Sequence, residues 1–323
     1  MARCDRAHPN ARNFGLGSRD MGYAGLNALR EGMQSHSSIA TMADRWSQFA
    51  AWAREAAGIR DMRQIVTDTL RGYADHLLTR LEQGEISPAT AQNALSAVNR
   101  VLEIARGDRL VRLDPVHEAG LPIRSGIATT DRAVSLSQHD HAVATVSERV
   151  AAILSLQRAF GLRFEEAAKL DAARALAQAQ HGMVRIEVGT KGGLARDVPI
   201  TNPLEQKFLL ANAANIQENA RSLIPAHQTY REFRAEAYAE LRSAGIRSHG
   251  ERHAYAQERY AALVGAPAPV AAGVAHGAAH HRFLAVRLGL TVAAARALDQ
   301  QARERVAAEL GHGRLDVTNT YLG

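Results

Sequence analysis

One segment of this chain alternates like a pair of strands, and nearly everything else repeats like a helix. Between Met183 and Ile200, the apolar residues Val184, Ile186 and Val188 alternate with polar ones. Thr190-Lys191-Gly192-Gly193 then supplies a turn, and Leu194 to Ile200 returns. A single hairpin in a helical background predicts a mainly α protein with a small β-hairpin or sheet, an α+β organisation.

The helical periodicity falls into two groups. In the first, Ile39, Met42, Ala43, Trp46, Phe49, Ala50 and Ala53 share one face. Leu70, Tyr73, Leu77 and Leu81 follow, up to Gly84. Ser87-Pro88 then opens a third helix, a cap followed by proline at the first helical position, and Gly107 closes it. Residues 1–36 are rich in Gly, Arg and Asn with little periodicity and read as an arm, so a small helical domain is expected over 37–114. Pro115, Gly120, Pro122 and Gly126 mark a linker over 115–133. A second domain is expected over 134–323. It begins with a helical run from Ser135 to Phe160, stopped by Gly161. Beyond the hairpin, helices are predicted at about 203–217, 229–244, 249–264 and 291–311. The Ala-, Gly-, Pro- and His-rich stretch 265–281 reads as a long loop or insertion.

With 323 residues, two domains fit better than one. No apolar run approaches a membrane span, and the N-terminus lacks the apolar stretch of a secretory signal. The one cysteine, Cys4, has no partner for an internal disulfide and excludes a cysteine-based zinc site, so a cytoplasmic setting is expected. Net charge is +6 and the sequence pI about 9.8, a balance that suits a nucleic-acid partner. Only Lys169, Lys191 and Lys207 are lysines, and arginine supplies the rest of the basic set.

Four boxes carry the candidate chemistry. Gly161-Leu162-Arg163 places an arginine just after a helix stop, near the start of the next helix, where anions are favoured. Glu165 and Glu166, which follow, read as first-turn residues that suit the helix dipole. Lys191 sits at the hairpin tip, and an ammonium can release a proton where a guanidinium effectively cannot. In His249-x-x-Arg252-His253 the first histidine and the arginine, three apart on a helix, share a face. The glutamate there lacks the spacing of a zinc-binding HExxH motif. His276, His280 and His281 read as incidental loop histidines. Finally, Leu310-Gly311-His312 is followed by Tyr321 at H-x8-Y spacing.

Taken in this order, the boxes resemble the tyrosine recombinase (lambda-integrase type) family, in particular integrases of integrative elements and genomic islands. The resemblance spans about 134–323. It implies a two-domain DNA clamp, with a helical, SAM-like core-binding domain ahead of the catalytic domain. It further implies metal-free, cofactor-free cleavage and rejoining of DNA. Arg163 and Arg252 would clamp the scissile phosphate, Lys191 would protonate the leaving 5′ oxygen and His249 would assist proton transfer at Tyr321. His312 would hydrogen-bond the phosphate, and Tyr321 would form a 3′-phosphotyrosyl link. The implied partners are double-stranded DNA at specific sites, a homotetramer exchanging strands through a Holliday junction, and an accessory DNA-bending or excision factor. The implied setting is the bacterial nucleoid, with no membrane partner. Relative to compact relatives, residues about 264–290 look inserted, and this segment or the arm is expected to couple subunits. Two other readings share part of the pattern, a type IB-like topoisomerase and a non-catalytic DNA-binding relative.

Overall fold

The computed structural model describes residues 10–323, so the first nine positions of the expected arm, Cys4 among them, lie outside the described residues. The chain separates into two compact units that meet at Arg124 and Ser125, within the stretch read as a linker.

The first unit is built on helices α1 (Met21–Gly32), α2 (His36–Ala57), α3 (Thr67–Glu82) and α4 (Pro88–Arg106). Side-chain caps start three of them. Asp20, Ser35 and Ser87 each accept a backbone N–H three residues on, which satisfies a donor the helix itself leaves free. The aromatic residues Trp46, Phe49 and Tyr73 pack together in the core, with Phe49 edge-on to Tyr73 at 5.0 Å.

The described part of the expected arm is instead a packed element. Helix α1 buries Met21, Ala24, Ala28 and Leu29, and the indole of Trp46 donates to Met21 O at 2.8 Å. A Cβ on Gly25 would lie 2.0 Å from that indole, so the glycine lets α1 and α2 approach closely. Asn13 is also buried; its N–H donates to Asp61, and its side chain accepts from Met62 N.

The second unit contains α5 (Leu136–Thr145), α6 (Glu148–Phe160), α7 (Phe164–Ala168) and α8 (Ala172–Ala179). Strands β1 (Met183–Ile186) and β2 (Arg196–Pro199) come next. They are followed by α9 (Pro203–Gln217), α10 (Tyr230–Ser243), α11 (His249–Val264), α12 (Pro269–Ala272), α13 (Ala278–Leu288), α14 (Val292–Leu310) and α15 (Asn319–Leu322). The run expected from Ser135 to Phe160 is two helices. Val146 is extended, and Ser147 begins α6 with its N–H and hydroxyl on Glu240.

The strands form a two-stranded antiparallel sheet in which Val184 faces Val198 and Ile186 faces Arg196. They are shorter than the alternation predicts, because pairing stops at Ile186 and resumes at Arg196, leaving 187–195 as a loop. The stretch 265–281 is also not a plain loop: α12 and the start of α13 lie in it, and Ala266, Ala268 and His280 are buried. The segment 264–290 thus packs into the core of its own unit.

Candidate active site

Gly161 ends α6 in a left-handed conformation (φ +62), and a Cβ there would come within 2.4 Å of the Tyr255 ring. A glycine is required on both counts. This turn delivers Arg163 to the start of α7. There its backbone N–H and one guanidinium nitrogen both reach Glu166, each at 2.7 Å.

Glu166 is the hub of the site. Its side chain is fully buried, and it also accepts two bonds from Arg196, at 2.9 and 2.7 Å, with Arg252 at 3.9 Å. Burial pushes its carboxyl up, but the Arg196 guanidinium, the Arg163 N–H and Arg252 outweigh that and hold it at about 2. Three guanidinium groups therefore face one carboxylate, and the cluster keeps an excess of positive charge. Arg196 enters from β2 and donates in addition to Glu309 O at 2.8 Å.

Arg252 is completely buried on α11. It donates to the carbonyls of Gly161 and Leu310, so it ties the end of α6 to the end of α14. Its Nε reaches the Tyr321 hydroxyl at 3.3 Å, and its Nη2 reaches His312 Nε2 at 3.3 Å. Burial lowers its pKa to about 10, so it remains a cation at neutral pH. The preceding residue, Glu251, pairs with Arg158 and His139 and fixes α11 against α5 and α6.

Tyr321 lies 7% exposed on α15, with its hydroxyl 3.2 Å from His249 Nε2 as well as against Arg252. The Tyr321 ring sits 4.6 Å from that of His253 and 5.2 Å from that of His312. His312 bonds Thr318 Oγ1 through Nδ1 at 2.9 Å, leaving Nε2 to accept from Arg252. Burial first, then Arg252, Arg163 and Arg196, lower His312 to about 3. Burial and the neighbouring His249 and Arg132 lower His253 to about 4. His249 is lowered as well, by desolvation and then by the charges of Arg252 and Arg163. All three imidazoles are thus neutral at physiological pH.

Of the six residues singled out in the sequence, five converge. Arg252, His249, His312 and Tyr321 are in direct contact, and Arg163 joins them through Glu166. Lys191 does not: it is exposed in the 187–195 loop, and no hydrogen bond or ion pair joins it to the other five. Sequence reasoning gave Glu166 no chemistry beyond the helix dipole, and it gave no role to Arg196, Thr318 or the ring of His253. Among the described residues, no group of three or more His, Cys, Asp or Glu side chains is placed to hold a metal ion.

A family model described as Integrase matches residues 123–258, a span that includes Arg163, Lys191, His249 and Arg252. Over that span the chain resembles the tyrosine recombinase family. Solved recombinase and integrase structures share its fold. XerH site-specific recombinase bound to palindromic difH substrate, a post-cleavage complex, is 14% identical with a TM-score of 0.54, over 93% of this chain and 79% of that one. The Tn1549 transposon integrase in complex with circular intermediate DNA is 12% identical with a TM-score of 0.54, over 95% of this chain and 96% of that one. A lambda integrase dimer bound to a COC′ core site is 12% identical with a TM-score of 0.53, over 93% of this chain and 77% of that one. No curated protein matches this chain by sequence.

Proposed function

We propose that this chain is a site-specific DNA recombinase or integrase that cuts and rejoins DNA through Tyr321 without metal or cofactor. The observation that carries this reading is the Tyr321 hydroxyl, bonded on one side to a neutral imidazole and on the other to a buried guanidinium. His249 Nε2 takes the phenol proton as the oxygen attacks phosphorus, and the P–O5′ bond breaks to leave a 3′-phosphotyrosyl link. Arg163, Arg252 and His312 hold the non-bridging oxygens, whose charge is met by donors already in place. His312 suits this role in the tautomer that carries its proton on Nε2, with Nδ1 then accepting from the Thr318 hydroxyl. Lys191 protonates the leaving 5′ oxygen, which requires the 187–195 loop to close over bound DNA. The partner 5′-hydroxyl then attacks the stored phosphodiester and releases Tyr321.

In this reading the second unit is the catalytic domain and the first a core-binding domain, the two clamping duplex DNA at a recombination site. His249, Arg252 and Tyr321 meet within one chain, an arrangement that supports attack in cis. Four copies pair two sites and exchange strands through a Holliday junction, integrating or excising a mobile element in the bacterial cytoplasm with an accessory bending or excision factor. No described helix is long and apolar enough to cross a membrane. The test is covalent trapping on nicked suicide duplexes that the protein is first shown to bind, in excess chelator. Wild type should form a denaturant-resistant adduct and Tyr321→Phe none at equal binding. Absence of an adduct from wild type on bound DNA would refute the proposal.

A further inference from the structure

Helix α15 is only four residues long, Asn319–Leu322, yet it carries Tyr321. One turn of helix does not hold itself in place, since its few internal bonds do not offset the cost of ordering it. Its position is therefore set by what grips it from outside. On one side, Ala128 N donates to Asn319 O at 2.9 Å, and Gln257 Nε2 reaches Tyr321 O at 3.3 Å. On the other side, Arg303 Nη1 donates to the Asn319 side-chain oxygen at 2.7 Å.

Arg303 is itself held with unusual care. It is 3% exposed on α14, and its Nε bonds both oxygens of Asp299, one turn earlier, at 3.1 and 3.0 Å. Asp299 accepts in turn from the Tyr260 hydroxyl of α11 at 2.5 Å and faces His281 Nε2 of α13 at 3.3 Å. His280 Nδ1, from α13 as well, stands 3.6 Å from it. A chain of buried polar contacts thus runs from α11 and α13 through Asp299 and Arg303 to the helix of the nucleophile. Such clusters contribute little net stability compared with well-packed apolar residues. Here the Arg303 Nη2 donor and His280 Nδ1 are buried without a hydrogen-bond partner, so the cluster is not arranged for stability. What it does provide is direction, because a planar guanidinium whose Nε is held on Asp299 has its remaining nitrogens aimed at fixed points.

We propose that Arg303 is a positioning residue: oriented by Asp299 and the α13 histidines, it pins Asn319 and so holds Tyr321 at its attack distance. The α12–α13 segment thereby acts within its own unit, on the geometry of the nucleophile. This inference rests on the recombinase reading for its catalytic consequence but not for its structural one.

The test compares Asn319→Ala, which removes the acceptor, with Asn319→Asp, which keeps an oxygen for Arg303. Asn319 is half-buried, so neither change opens a core cavity. Three quantities are measured on the full chain: affinity for a bound duplex, the single-turnover rate of adduct formation, and hydrogen exchange of the peptide 315–323. Misplacing a reacting group by about 1 Å costs on the order of a hundredfold in rate. Asn319→Ala should therefore bind DNA as wild type does, form adduct roughly tenfold to a hundredfold more slowly, and exchange faster in 315–323. Asn319→Asp should restore both rate and protection. The inference is overturned if Asn319→Ala cleaves at the wild-type rate, if its 315–323 exchange is unchanged, or if Asn319→Asp fails as badly as Asn319→Ala. If wild type forms no adduct, the recombinase reading falls, and the exchange comparison alone still decides whether Arg303 holds the helix.

Discussion

Glu166→Gln changes one atom and should cost more stability than any surface substitution in this chain. The wild-type carboxylate is fully buried and serves Arg163 and Arg196 directly, with Arg252 at 3.9 Å. Its carboxyl is held at about 2 against an ordinary 4.5. A folded value below the unfolded one means stability that is fully present above the unfolded pKa and lost as pH falls through the folded one. At about 1.4 kcal/mol per pH unit, ionised Glu166 contributes roughly 3 kcal/mol at neutral pH and about half of that near pH 3. A second route gives a similar figure, because removing one partner of a buried ion pair costs about 3–5 kcal/mol. Urea unfolding of wild type and Glu166→Gln should therefore differ by about 3 kcal/mol at pH 7, with the gap narrowing to about half at pH 3. A gap below about 1 kcal/mol at pH 7, or one that is the same at both pH values, would refute the assignment of Glu166 as the anchor of the arginine cluster.

Three further outcomes follow from the geometry. Since His249 must be neutral to accept the Tyr321 proton and its pKa is lowered, cleavage should hold steady as pH drops past 6.5 and decline only below it; an acid limb centred at or above 6.5 would contradict the general-base role. Lys191→Ala should lose cleavage and regain part of it on a 5′-bridging phosphorothiolate, whose leaving group needs no proton, while Lys191→Arg should not restore activity on normal DNA. Failure of the phosphorothiolate to rescue would remove Lys191 from the general-acid role. Gly161→Ala places a Cβ 2.4 Å from Tyr255 at a φ of +62. It should destabilise by roughly 2–4 kcal/mol in thermal unfolding, whereas a stabilised variant would show that the turn relaxes freely.

What could be read from the sequence was what is local. Caps, glycine stops and the 3.6-residue periodicity gave helices α2, α3, α4, α9, α10, α11 and α14 because each signal lies within a few residues of its effect. The four motif boxes were legible for the same reason, each being a short run with its own turn or helix start. The helix α1 was missed because its buried face is built from Met21, Ala24, Gly25, Ala28 and Leu29. Small residues there carry little hydrophobic signal, and their value lies in letting Trp46 approach. Helix α13 was hidden similarly, with His280, Leu284 and Ala285 as its buried face in an Ala- and His-rich stretch. The roles of Glu166 and Arg196 were beyond reach, since they depend on a contact between residues 30 apart, with α8 and β1 between them. One signal was available: Arg196 falls on the same strand face as Val198, an inward position that a charged residue occupies only with a partner.

The most direct test of the central claim is the identity of the covalent bond. DNA adduct formed by wild type in chelator would be digested with nuclease and trypsin and the modified peptide sequenced by mass spectrometry. The account predicts a nucleotide joined through its 3′ phosphate to Tyr321, on the peptide that follows Arg314. A nucleotide on any other residue, or one joined through its 5′ phosphate, would contradict it.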